Sequence, residues 1–135
     1  MWDLLQKMKT ALTTIPELDT VLIGTEKGIN AKSCPAARIV LESREYESPQ
    51  HKTIDSGDIH ILLLLDLKNN IEENYQQSIE LEEKIRNTLA PIVAFNRTDY
   101  DQDGVSVFKA TRIAFTFNRV SNGNTGVCND RYRSR

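Results

Sequence analysis

The sequence predicts an α+β fold: a mostly antiparallel sheet of about four to five strands with two helices packed on one face. Three observations carry this. Two segments repeat their apolar residues at helical spacing, and several others alternate them at period two. The two kinds of segment do not interleave one for one, as they would in a parallel α/β sheet. The third observation is size: 135 residues, 39% of them hydrophobic, suffice for one domain with its own core and no disulfide or metal to hold it.

The first helix is expected within residues 3–18, where Leu4, Leu5, Met8, Leu12 and Ile15 form one stripe and Pro16 ends the run. Val21, Leu22 and Ile23, closed by Gly24, predict a short strand, and a polar loop with Gly28, Asn30 and Lys32 follows. Over residues 37–46, Ile39 and Leu41 face one way while Arg38, Glu42 and Arg44 face the other with Val40 among them, the pattern of a half-buried strand. Residues 47–58 collect Ser48, Pro49, Asp55, Ser56 and Gly57, all turn formers. They predict a long loop, either mobile or partner-binding. In the next strand Ile59, Ile61, Leu63, Leu65 and Leu67 share a face, and Leu62 and Leu64 make the other face apolar beside His60 and Asp66. Such a strand either lies inside a covered sheet or shows one face to a partner subunit.

The second helix opens at residues 69–73, with Asn70 placed to accept from the first free amides and Glu73 three positions on. Ile71, Tyr75, Ile79, Leu81, Ile85 and Leu89 are its expected core stripe, and Pro91 stops it. Glu80 with Lys84 and Glu82 with Arg86 are spaced as ion pairs. Glu72, Glu73, Glu80, Glu82 and Glu83 then read as a solvated face or an acidic docking surface. A short strand is expected at residues 92–95. In the last strand Ile113, Phe115 and Phe117 alternate with Arg112, Ala114, Thr116 and Asn118. Residues 1–120 thus form the domain, and residues 121–135 a polar, basic, flexible tail.

Charge and chemistry narrow the function. Seventeen Lys and Arg against nineteen Asp and Glu leave a net charge of -2, which excludes a strongly electropositive nucleic-acid binder. The longest apolar run, interrupted by His60, falls well short of the ~20 residues that cross a bilayer, and residues 1–5 lack the basic start of an export signal. A soluble intracellular protein without membrane contact is expected. Cys34 and Cys128 stand far apart with no CxxC, as reduced thiols do. His51 and His60 have no His or Cys four residues on, so no zinc site is expected. His60 and Asp66 share a strand face but lie ~20 Å apart, too far to act as an acid–base pair. With no Walker loop, G-x-S-x-G or G-x-G-x-x-G, the expectation is a non-enzyme without a cofactor.

Two motifs stay open. Asp99, Asp101 and Asp103 before Gly104 match the first half of a calcium loop, but Ala110 stands where the bidentate carboxylate belongs. The segment is either a tight turn or a weak cation site. Arg131, Arg133 and Arg135 with Tyr132 form a solvated tail, a docking element for an acidic protein, or a nucleic-acid contact.

The arrangement as a whole resembles the tail terminator, or tail completion, proteins of long-tailed bacteriophages and prophages. The resemblance covers about residues 1–120. It rests on the amino-terminal helix, the Pro35-introduced strand through Glu42, the apolar strand running from Ile59 into a helix up to Ala90, and the closing strand over residues 110–118. It implies a virion protein, assembled in the host cytoplasm, whose copies form a ring, usually a hexamer. The ring would cap the tail tube and offer the head connector a surface at the neck, with DNA passing through the lumen without sequence-specific binding. The partners implied are further copies of the chain, the tail tube protein and the head connector protein. Another neck component, or a small ligand-binding domain, is the alternative. A closed ring needs two different patches on each subunit. Leu62 and Leu64 are one candidate patch, and Tyr46, Glu47 and His51, beside the long loop, are the other. Leu62 and Leu64 fit equally well beneath an element of their own subunit.

Overall fold

Alternation at period two puts every second side chain of a strand on one face, and here that rule selects the face the helices cover. The structure is a computed structural model. It describes residues 1–24, 33–66, 71–100, 108–122 and 127–132, the side chains of 122 and 127–132 excepted. The elements are α1 (Trp2–Leu12), β1 (Thr20–Ile23), β2 (Ala36–Glu47), β3 (Lys52–Asp66), α2 (Ile71–Leu89), β4 (Ala94–Asp99), β5 (Phe108–Asn122) and β6 (Val127–Tyr132). The sheet order is β1-β2-β3-β5-β4, with β6 also beside β5. β1 and β2 are parallel and every other pair is antiparallel. The fold is α+β, as the sequence predicts.

Ile39, Ile59, Ile61, Leu63, Leu65, Ile113, Phe115 and Phe117 line one face, and Leu4, Leu5, Met8 and Leu12 of α1 pack on it with Leu81, Ile85 and Leu89 of α2. Each such side chain contributes about 1.5–3 kcal/mol on leaving water, so this layer is the main source of stability. α1 contacts β1 and β2, and α2 contacts β3 and β5, so the helices lie side by side. α1 ends at Leu12, short of the predicted run. The hydroxyls of Thr13 and Thr14 donate to the Thr10 and Ala11 carbonyls at 2.7 and 2.6 Å and turn the chain before Pro16 is reached.

The predicted long loop over residues 47–58 is absent. β2 continues to Glu47 and β3 begins at Lys52, leaving a tight turn at residues 48–51 in which Gln50 (φ 45°) and His51 (φ 67°) are left-handed. The residues read as turn formers are cross-strand partners. Arg44 donates twice to the Asp55 carboxylate, at 2.9 Å each, and the Ser43 hydroxyl donates to Asp58 at 2.9 Å. Gly57 lies so close to β2 that a Cβ would sit 2.0 Å from the Ser43 carbonyl oxygen. A polar two-stranded arm results.

The core stripe of α2 also needs correction. Leu81, Ile85 and Leu89 are buried, but Ile71, Tyr75 and Ile79 are 72%, 41% and 43% exposed. Asn74, Ser78 and Glu82 are buried instead. At 100° per residue, Ile79 stands ~120° round the helix from the centre of the buried side. The sheet receives polar groups there because they find partners. Asn74 donates to the Asp66 carbonyl at 3.1 Å, Ser78 to the Asn74 carbonyl at 2.8 Å, and Glu82 accepts from Thr98 at 3.0 Å. Glu82 therefore belongs to no solvated acidic face. Its ion pair with Arg86 is present at 3.3 Å, whereas Lys84 reaches Glu17 at 2.8 Å and Glu80 accepts from Gln76. β4 begins later than the expected strand, at Ala94, and runs to Asp99. Leu67, Asn69, Asn70 and the loop with Gly28, Asn30 and Lys32 lie outside the described residues. The chain after Val120 continues β5 to Asn122 and returns as β6.

Candidate functional site

The sheet face opposite the helices carries a chain of charges. Register places His60, Arg112, Asp99 and Arg97 on it, and Glu42, at the bulge of β2, reaches the same face through its contacts with Arg112 and His60. Arg112 bonds the Glu42 carboxylate and stands 3.7 Å from Asp99, which Arg97 grips with two bonds of 2.6 and 3.1 Å. His60 Nδ1 is 3.5 Å from Glu42, without the geometry of a hydrogen bond. Burial lowers the His60 pKa, and the nearby Arg112 charge lowers it further against the pull of Glu42. The imidazole is therefore neutral at pH 7 and sits as a wedge between a carboxylate and a guanidinium.

Asp99 already has two cationic neighbours. Hydrogen bonds from Arg97 come first in holding its carboxyl below the usual range, with the Arg97 and Arg112 charges adding to them. A carboxylate shared by two guanidiniums is occupied, and a cation brought there would meet both. Among the described residues no group of three His, Cys, Asp or Glu side chains could hold a metal. Asp101 and Asp103 lie outside those residues.

The two interface candidates of the sequence prove to be far apart. Leu64, 4% exposed, forms a small second cluster with Ala36 and Ala110, against which Leu62, Cys34 and Phe108 pack. Leu64 is thus covered within its own subunit, and Leu62 is half-buried. Burial raises the Cys34 thiol, and the Asp66 and Asp19 charges raise it further, so it is a poor nucleophile. Tyr46, Glu47 and His51 cluster at the exposed end of the β2–β3 arm. From Asp55, which pairs with Tyr46, to Leu62 is ~23 Å at strand rise. Arg131 and Tyr132 fall in β6, whose backbone pairs with β5, and Arg133 and Arg135 lie outside the described residues.

What sequence reasoning missed is the distribution of exposed apolar groups. Among the described residues seven large apolar side chains are exposed, and they sort onto two sides. Trp2 on α1, with Leu41 and Tyr46 on β2, belongs to the β1–β2 side. Ile71, Tyr75 and Ile79 on α2, with Phe95 on β4, belong to the opposite side. Cations organise both. Arg44 lies 4.6 Å over the Tyr46 ring, Arg86 5.0 Å over Phe95, and the Lys109 ammonium 4.1 Å over Tyr75. Phe95 also meets the buried Phe115 edge-on, with ring centroids 5.9 Å apart. The signal for the second group was present as a 71/75/79 spacing beside the 81/85/89 spacing. Only the position of the sheet decides which of the two is covered.

Backbone edges accompany both patches. β1 pairs with β2 only through Ala36 to Ile39. Among the described residues, β2 over residues 41–47 has β3 as its one neighbour. On the far side, among the described residues, β4 pairs with β5 alone. A shallow groove between residues 14–17 and Lys84, Asn87 and Thr88 is bridged by the Lys84–Glu17 ion pair and is open to solvent. No protein-family model matches the chain, and no curated protein matches it either. No described helix is long and apolar enough to cross a membrane.

Proposed function

We propose that the chain is a structural subunit that joins head to tail with its own copies, forming the ring that ends a phage-type tail tube and receives the head connector. One observation carries this reading: among the described residues the exposed apolar side chains fall in two unlike groups, Trp2, Leu41 and Tyr46 on α1 and β2 and Ile71, Tyr75, Ile79 and Phe95 on α2 and β4. An isologous dimer uses one self-complementary patch, whereas a closing ring uses two different ones. The order of elements, which resembles that of the tail terminator proteins, supports a position for the ring on a tail. The helix-free face, with its fixed chain of ion pairs, and the projecting β2–β3 arm supply surfaces for the tube and the connector.

The test is the mass by light scattering after size exclusion, over a concentration series and then after mixing with tail tubes. The expected result is a discrete ring-sized species near six subunits, alone or on the tube end. A chain that stays monomeric at every concentration and leaves tube ends uncapped overturns the reading.

A further inference from the structure

We propose that residues 41–47 of β2, which among the described residues pair with β3 alone, are a strand-addition site whose occupant is β4 of a second copy, so that the sheet runs on from subunit to subunit. The inference rests on the head-to-tail reading and names the contact that reading requires. Four observations select this occupant.

The first is direction. β3 is antiparallel to β2, β5 to β3 and β4 to β5, so β4 runs opposite to β2 in the same sheet. A copy displaced sideways without being turned over brings its β4 antiparallel to β2, with the helices of both copies on one side. The second is length: the seven residues of β2 that no described strand covers on this side meet the six of β4. The backbone there faces the β1 side: the Ile39 carbonyl turns towards β1, where it accepts from Gly24 at 2.8 Å, and among the described residues no strand pairs with β2 beyond that point on this side. Strand alternation turns the backbone groups of Leu41 the same way, past the end of β1.

The third is area. Counting ~200 Å² for a large side chain, the two apolar patches expose roughly 300 and 400 Å². A standard interface buries ~800 Å² per partner, a little over half of it apolar. The patches therefore match each other and the apolar share of one such contact. β4 addition brings them together, because Leu41, Tyr46 and Phe95 all project on the helix-bearing face of the sheet.

The fourth is charge. This half of β2 carries Glu45 and Glu47, together with Glu42, which Arg112 holds, and Arg44, which Asp55 holds. The opposite edge presents Arg97, 67% exposed and paired with Asp99, and Arg86, 40% exposed and paired with Glu82. Bulges at Leu41/Ser43 and Phe95/Arg97 interrupt both edges. Bulges and charges are what keep an edge from pairing indiscriminately, and here they leave a partner of the same shape as the one selection.

Two measurements test the contact. A chain with Glu45→Cys and Arg97→Cys, its own thiols removed by Cys34→Ser and Cys128→Ser, is assembled and oxidised. The expected result is a covalent ladder on a non-reducing gel that stops at the ring number, with at most dimers from either single cysteine. In the unsubstituted chain, hydrogen exchange of the amides in residues 41–47 is expected to slow at least tenfold on assembly. An intact ring with no ladder and unchanged exchange there overturns strand addition and leaves the ring reading standing. A chain that forms no oligomer, with or without tail tubes, overturns both.

Discussion

β2 and β3 are held in two different ways along their length. In their lower half, from Ala37 with Leu63 to Ile39 with Ile61, apolar side chains enter the core and stability comes from burial. In the upper half, beyond the bulge at Leu41/Ser43, the same strands carry Ser43, Arg44, Asp55, Gly57 and Asp58 and are held by hydrogen bonds and a close backbone contact. The first half is insensitive to its surroundings once packed. The second is a polar arm reaching beyond the helices, strong enough to keep its shape and free enough to meet another molecule.

Substitutions should separate the two halves, beginning with the core. Phe115→Ala removes a fully buried ring and is expected to cost about 3–5 kcal/mol, seen as a fall in the midpoint of urea unfolding. Leu64→Asp buries a carboxylate in the second cluster and should unfold much of the chain. Leu62→Asp, half-buried, should leave it folded by circular dichroism. Equal behaviour of the two would refute the burial difference.

Effects in the arm are smaller. Gly57→Ala places a methyl group against the Ser43 carbonyl and should cost about 1–3 kcal/mol as the strands part. Faster amide exchange confined to residues 43–58, with the core unchanged, would show the arm opening by itself. Asp55→Asn keeps the shape and removes one charge of a partly exposed pair, so a loss of about 1 kcal/mol or less is expected, shrinking in high salt.

The smallest effect is the pH dependence contributed by His60. Its folded pKa lies below the free value near 6.5 because burial and Arg112 disfavour the charged form. As pH falls below ~6.5 the unfolded chain takes up the proton before the folded one does, so the contribution is complete above that pH and declines beneath it. His60→Gln should remove this slope from unfolding midpoints measured between pH 7 and 5. An unchanged slope would assign it to other groups.

The same contrast explains what could be read from the sequence. Ile59, Ile61, Leu63, Ile113, Phe115 and Phe117 alternate because a sheet buries every second residue, so the core strands and the fold class were legible. The arm was not, since Asp55, Ser56 and Gly57 are turn formers by local preference and become strand residues only through Arg44 and Ser43, more than ten positions away. Burial of Asn74, Ser78 and Glu82 in place of Ile71, Tyr75 and Ile79 escaped for a related reason. Both sets have helical spacing, and partners on β3 and β4 decide between them. Of the candidate site, Tyr46 at the arm is legible in the sequence, whereas spacing alone sends Ile71, Tyr75 and Ile79 to the core.

The central claim is that two unlike sides of the subunit meet. It is tested most directly by light scattering on Tyr46→Asp, on Ile79→Asp and on their equimolar mixture, under conditions in which the unsubstituted chain assembles. Each variant alone should have the mass of one subunit. The mixture should have the mass of two, because one intact side remains on each partner. If either variant still assembles alone, or the mixture stays at the mass of one, the two sides do not join and the account is wrong.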